Sequence, residues 1–380
     1  MTVTVRRLSR DMKKQYRMDL IAGKEGLDNI VKWVHAIEDY DVARFLRGNE
    51  LILTTGIGNL KDEGKLLNFV TKLQENKVSG IMINTGPYIH DVPRIVVDYC
   101  NQAKLPLFTI PWEVRLVDLT RQYCQIIIES EEKEKSLTSL VKEYLFDPRD
   151  REKLSHELTR NGFTQHLNYC VINIGIDDES SGGFDQNKKE LLREIINREV
   201  NKITDKYVIF KNESNFVLIT AGLKRALLQE LIHNLSLRHI DGQSQLLISV
   251  SSNKENLMLL PKSFEISEKL FNLCKSLDKN IIYYDDMGIY KILLSVSEKS
   301  VMKDYEKQIL GPIIEHEFLE FVTIFIKNNG NIHNIARSMN VHRNTIHYKM
   351  NKVKEVAKLD LSDMEDLLKV KLCLLIRNIK

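Results

Sequence analysis

With 380 residues, 43% apolar and 28% charged, the chain has room for two or three domains with real cores. A net charge of +3 is too small to imply wholesale polyanion binding, so a basic patch matters as a local feature. The five scattered cysteines (Cys100, Cys124, Cys170, Cys274, Cys373), an N-terminus without a signal-peptide core and the lack of any run near the roughly 18 apolar residues of a membrane span predict a soluble cytoplasmic protein with reduced thiols and no membrane partner.

The N-terminal third predicts an α/β layer. Val31–Ile37, Leu51–Thr54, Gly80–Ile83 and Pro106–Ile110 read as strands, with helices near Val42–Leu46, Asp62–Glu75 and Pro93–Ala103 between them. Such alternation implies parallel strands with right-handed crossovers. The turns after the strands carry small, hydroxylated or aromatic residues: Thr54-Thr55-Gly56-Ile57-Gly58, Asn84-Thr85-Gly86-Pro87 and Pro111-Trp112. The C-terminal ends of parallel strands line one edge of a sheet, where ligands tend to bind. Thr54, Thr55, Gly56, Asn84, Thr85 and Trp112 are therefore the candidate effector residues, although each is also compatible with a plain strand-to-helix turn. Gly56-x-Gly58 is no dinucleotide fingerprint, because the third glycine and the following acid are missing.

A long helix follows. Leu116, Leu119, Tyr123, Ile126, Ser130, Lys133, Leu137, Leu140 and Tyr144 trace one heptad seam through the charged run Glu129–Lys135. The run is too hydrophilic to be buried. The helix either pairs with its twin at both ends, solvated in the middle, or packs on its own domain. Asp147-Pro148-Arg149-Asp150 ends it.

The middle region predicts an α+β fold: strand Tyr169–Ile176, helix Lys188–Ile203, hairpin Tyr207–Phe210 and Phe216–Thr220 around Lys211–Asn215, helix Arg225–Asn234, strand Gln245–Val250, helix Ser263–Leu277 and a strand near Ile281–Tyr283. Asp177-Asp178 reads as a pair of solvated turn acids rather than a metal site.

The C-terminal region predicts a helix over Ile313–Asn328, then two helices joined by a tight turn. Asn329-Gly330-Asn331 is a turn with Asn331 as an N-cap, and Ile332, Ile335, Ala336 and Met339 form one buried face. Asn340-Val341 turns the chain and His342 caps a second helix, whose Ile346, Met350 and Val353 face inward. Between Ile332 and Lys358 there are six Lys/Arg and one acid, Glu355. Lys and Arg neutralise phosphates, while residues at a helix N-terminus reach base edges. Arg chelates guanine and Asn adenine, each pair discriminating by roughly 1–3 kcal/mol. The candidate contacts to double-stranded DNA are Asn331, His342, Arg343, Asn344, Thr345, His347, Tyr348, Lys349 and Lys352. The competing reading is a helical hairpin with a solvated charged face.

NVHRNTIHYKMNKV resembles the signature of the C-terminal, Fis-like helix-turn-helix of the PucR family of bacterial transcription regulators. Gly26-Leu27-Asp28-Asn29 with Val31 and Trp33, Gly48-Asn49-Glu50-Leu51-Ile52-Leu53-Thr54-Thr55-Gly56 and Leu105-Pro106-Leu107 to Pro111 resemble its N-terminal sensory domain. The order of elements between them is similar to the degenerate GGDEF-like domain of such regulators, with Lys211–Asn215 where an active cyclase carries a Gly-Gly-acid-acid-Phe loop. The resemblance implies a sensory domain at 8–128, a linker helix at 129–150, a GGDEF-like domain at 151–300 and a helix-turn-helix domain at 308–380. It also implies a metabolite effector, a purine-degradation intermediate or an amino acid.

No enzymatic constellation emerges. His316-Glu317 lacks the second histidine of a zinc-protease helix, and His333, His342 and His347 match no zinc module. No cofactor and no metal are expected. The fold class expected is multidomain: an α/β parallel-sheet domain, an α+β GGDEF-like domain and an all-α helix-turn-helix domain. The function expected is metabolite-responsive, sequence-specific DNA binding by a homodimer or higher homo-oligomer. The alternatives are a nucleotide-turnover enzyme with an accessory tail and a ligand-binding interaction protein whose helical tail docks a protein.

Overall fold

The computed structural model describes residues 2–57, 60, 62–176, 186–240, 245–296 and 298–379. Gly58 and the Asp177-Asp178 pair lie outside the described residues. The chain divides into two compact units, one of residues 1–170, 176–246 and 253–261, the other of 171–175, 247–252 and 262–380.

The chain begins with α1 (Val5–Tyr16) and β1 (Asp19–Ala22), continues through β2 (Trp33–Ala36), β3 (Glu50–Thr54), α2 (Glu63–Glu75), β4 (Gly80–Thr85), α3 (Arg94–Gln102) and β5 (Leu107–Pro111), and enters the 31-residue α4 (Leu116–Phe146). The first sheet has the order β1-β5-β4-β3-β2. β2 to β5 are parallel, as the alternation of strands and helices implies, while β1 runs antiparallel on β5.

Period-2 alternation sends successive residues to opposite faces, and here both faces are covered. Ile52, Ile81, Ile83 and Leu107 pack with Leu66, Phe69 and Val70 of α2 and Val96 and Cys100 of α3. Leu51, Leu53, Met82, Phe108 and Ile110 pack with Val5 and Leu8 of α1 and Leu119, Tyr123 and Ile127 of α4. Two-sided burial is why β3 and β4 are continuous apolar runs rather than alternating ones. The segment expected as a helix at Val42–Leu46 is a 3-10 turn over Tyr40–Phe45, begun by Asp39, whose carboxylate accepts from the Asp41 N–H at 2.9 Å.

The seam of α4 is corrected. Leu119, Tyr123 and Ile127 are buried against the sheet, and Tyr144 is buried near its other end, with its hydroxyl 3.4 Å from the Leu257 carbonyl. These positions are occupied within the chain and are not free to meet a twin. The middle is not wholly solvated either: Ser130 is buried and accepts a hydrogen bond from Arg7 at 3.4 Å.

The middle region comprises α5 (Arg151–Arg160), β6 (Asn168–Ile176), α6 (Gln186–Asn201), β7 (Tyr207–Asn212), β8 (Asn215–Ala221), α7 (Arg225–Ser236), β9 (Leu246–Val250), β10 (Lys254–Glu255), α8 (Leu260–Ser276), β11 (Ile281–Tyr283) and α9 (Tyr290–Ser295). Its sheet has the order β11-β9-β6-β8-β7, with β10 pairing β6. The β7–β8 hairpin turns at Glu213, which takes a left-handed φ of 47°.

The C-terminal helices are α10 (Lys299–Glu315), α11 (Leu319–Lys327), α12 (Ile332–Ser338), α13 (Arg343–Ala357) and α14 (Met364–Asn378). They enclose a core of Leu310, Ile313, Phe321, Val322, Phe325, Ile335, Ile346, Val353, Val370 and Cys373. The helix expected over Ile313–Asn328 is instead two helices. Glu317 has a left-handed φ of 58°, the Phe318 N–H returns to the Ile313 carbonyl at 2.9 Å and the Glu317 N–H to Ile314 at 3.1 Å. That is a Schellman closure with glutamate where glycine is usual, so no residue marks the break in the sequence. Among the described residues no helix is long and apolar enough to cross a membrane.

Candidate nucleic-acid interface and effector crevice

The turn between α12 and α13 is built from the same closure. Asn340 has a left-handed φ of 53°, its N–H bonds the Arg337 carbonyl at 3.2 Å, and the Val341 N–H bonds Ala336 at 3.0 Å. Asparagine tolerates this conformation better than most residues. Each helix is then started by a side chain. The Asn331 amide oxygen accepts from the Asn334 N–H at 3.1 Å, and His342 Nδ1 accepts from the Asn344 N–H at 3.3 Å. With Nδ1 accepting, the ring proton of a neutral imidazole is on Nε2, and the Asn331 oxygen is already engaged in its cap.

Ile346 and Val353 are fully buried and Met350 is half-buried, which fixes the rotation of α13. Arg343, Asn344, His347 and Tyr348 stand exposed, with Thr345, Lys349 and Lys352 half-buried. An open groove between α12 and α13 has Ile332, Ala336 and Val341 in its lining and Arg337, Arg343 and His347 around it. Two of the candidate cations are engaged locally. Lys349 lies over the Phe321 ring at 5.8 Å, and Lys352 donates to Glu355 at 2.7 Å, a bond that raises the lysine pKa and keeps it charged. Lys354 likewise pairs with Asp360 at 2.6 Å. Arg343, at the first position of the helix, leads the exposed group together with Asn344.

The second candidate site is the C-terminal edge of the first sheet. The loops after β3, β4 and β5 do converge. A Cβ on Gly56 would lie 2.5 Å from the Ile89 side chain, and one on Gly86 2.7 Å from the Trp112 ring. Tyr88 and Trp112 stand 5.7 Å apart at 57°, and Trp112 is 40% exposed.

The polar groups at this edge are not idle. Glu38, two residues beyond β2, accepts from Thr54 Oγ1 at 2.9 Å, Thr55 Oγ1 at 2.8 Å, the Thr55 N–H at 2.9 Å and the Gly56 N–H at 3.0 Å. The Asn84 amide donates to the Pro111 carbonyl at 2.8 Å, and Thr85 Oγ1 to Ile110 at 3.3 Å. Thus the hydroxyls and amide expected to face a ligand bond within the protein instead, while the Trp112 ring is exposed. Sequence reasoning missed Glu38. Its signal was that a Thr-Thr-Gly turn presenting hydroxyls and amides requires an acceptor, and Glu38-Asp39 follows the neighbouring strand.

A further cavity of about 380 Å³, also missed, lies where α4 and α6 meet the segment before β2. Four of its charged residues form two ion pairs. Lys32 meets Glu194 at 2.6 Å, and Arg193 meets Glu134 at 3.0 Å. Glu194 also accepts from the Asn49 amide at 3.0 Å.

Comparison with known proteins decides what these domains are. The purine catabolism regulatory protein-like family, PucR, matches residues 8–127, and the PucR C-terminal helix-turn-helix domain matches residues 318–376. By these two matched domains, which together span less than half of its length, the chain is similar to the PucR family. This is a family of transcription regulators, not of enzymes. The stretch 128–317, with most of α4, lies outside both PucR matches. Among relatives, the purine catabolism regulatory protein of Bacillus subtilis (strain 168) is 29% identical over 112 residues, 29% of this chain and 21% of that protein. The proline-responsive transcriptional activator PutR of the same organism is 25% identical over 251 residues, 61% of this chain and 60% of that protein. The transcriptional activator PmfR of Paenarthrobacter nicotinovorans is 28% identical over 90 residues, 24% of this chain and 19% of that protein. The chain thus covers less than two thirds of the length of each of these relatives.

Proposed function

We propose that this PucR-like chain is a metabolite-responsive, sequence-specific DNA-binding regulator of a catabolic operon, acting in the cytoplasm. The observation that carries the reading is α13. A capped helix with Arg343, Asn344, His347 and Tyr348 exposed at its N-terminal half is the chemistry of a base reader, with cations beside it for phosphates. Asn331, His342, Thr345, Lys349 and Lys352 act with them, His342 through its Nε2. One such helix buries little surface, so the reading includes a homodimer or higher homo-oligomer on paired half-sites.

The effector enters at the C-terminal edge of the first sheet beside the exposed Trp112, where Thr54, Thr55, Gly56, Asn84 and Thr85 bond within the protein in the absence of ligand. The relatives' names point to purine catabolism and to proline, so the effector class is a purine-degradation intermediate or an amino acid. The middle region is an inert GGDEF-like relay. The Lys32–Glu194 and Asn49–Glu194 bonds, which run from the ends of the first sheet to α6, support that role.

The test is fluorescence anisotropy of the full chain on duplex DNA, with and without L-proline or urate, from about 50 to 200 mM salt. Binding that weakens steeply with salt and changes several-fold with one metabolite is expected. No binding at the lowest salt, with or without metabolite, contradicts the reading.

A further inference from the structure

Glu38 is half-buried, and its carboxylate is held by four donors on three consecutive residues, two hydroxyls and two backbone amides. Gly56 supplies one amide at a left-handed φ of 78°, which turns the loop so that successive N–H groups converge. Oriented amides of this kind form a concavity for an anion, and hydrogen bonds to a carboxylate are among the stronger ones available. Next to the cradle stands an aromatic wall. The Tyr88 Cβ lies 3.7 Å from where a Gly56 Cβ would be, and Tyr88 leads on to the half-exposed Trp112.

We propose that the Thr54-Thr55-Gly56 cradle is a carboxylate-binding subsite and that Glu38 is its built-in occupant, exchanged for the carboxylate of a small effector whose apolar or ring-bearing body lies on Tyr88 and Trp112. The proposal rests on the reading that the effector enters at this sheet edge, and it narrows the effector to an anionic carboxylate. The exchange is close to an even trade in hydrogen bonds, because one carboxylate replaces another on the same donors. A tethered occupant competes at an effective concentration in the millimolar range, so a ligand prevails only through contacts Glu38 does not make. The aromatic pair provides them. Glu38 follows β2 by two residues, and Val34 of β2 packs in the same core as Leu119 and Tyr123 of α4. Release of the carboxylate therefore alters the strand end beneath the long helix, which gives the ligand the differential between two states that a switch needs.

The test is calorimetric titration of the full chain with benzoate, a carboxylate on a ring, and with benzyl alcohol, its uncharged counterpart. The proteins are wild type, Glu38→Ala, Glu38→Gln and Glu38→Ala with Thr55→Val. Glu38→Gln keeps the side chain's size and serves if Glu38→Ala does not fold. Benzoate is expected to bind both Glu38 variants at least about tenfold tighter than wild type, benzyl alcohol to bind none of them, and Thr55→Val to abolish the gain. Equal benzoate affinity in wild type and the Glu38 variants, lost with Thr55→Val, overturns the exchange but leaves the sheet edge as the effector site. Benzoate binding that Thr55→Val leaves untouched, or none in any protein, overturns both.

Discussion

Arg343 and Asn344 occupy the first two positions of α13, where the side chains of a groove-bound helix meet base edges, and both are exposed. Lys352 lies further along the helix and is shared with Glu355 at 2.7 Å. An acid beside a phosphate-binding lysine competes with the phosphate for it. Glu355→Gln should therefore strengthen binding to all duplexes alike and steepen the dependence of log affinity on log salt by about one unit, leaving base preference unchanged. An unchanged or shallower slope would show that Lys352 faces away from the backbone. The pattern Ile346, Met350, Val353 was legible in the sequence because helical spacing alone decides which side of α13 turns inward. The engagement of Lys349 with Phe321 and of Glu38 with Thr54–Gly56 was not. Both depend on residues distant in sequence that the fold brings together.

At the scale of the element, the parallel strands of the first sheet and the long strands and helices of the middle region were readable from periodicity, because two-sided burial leaves long apolar runs between turn residues, while α5, α9 and the two-residue β10 were not read. What escaped were elements whose boundaries rest on backbone geometry instead of residue type. The α10–α11 break sits at Glu317, a left-handed residue that nothing in composition marks. β1 is four residues on an edge, and α1 opens the chain with Val5 and Leu8 as its buried residues amid Arg and Lys. The seam of α4 was visible, but periodicity cannot tell a partner helix from the chain's own sheet. Leu119 is fully buried while Leu140 is half-buried. Leu119→Ala should therefore cost about 2–5 kcal/mol in urea unfolding, and Leu140→Ala distinctly less. A cost for Leu140→Ala as large as for Leu119→Ala, together with loss of self-association, would return the seam to a twin.

For the whole molecule, the two PucR-like matches lie toward opposite ends of the chain, with 128–317 between them in sequence. Domain order was legible because the matched motifs lie near opposite ends of the chain; the ties through Glu194 were not, since Lys32 and Asn49 are ordinary surface residues until α6 is placed beside them. In the proposed reading a regulator without a base-reading helix has nothing to regulate, so α13 is the part on which the rest of the proposal depends. That α13 reads bases is tested most directly by selecting bound duplexes from a random library with the full chain and with Arg343→Ala. The wild-type chain should enrich one defined site, and Arg343→Ala a site degenerate at one or more positions and weaker by roughly 1–3 kcal/mol. The same site recovered at the same strength from both proteins would contradict the assignment of α13 as the reader.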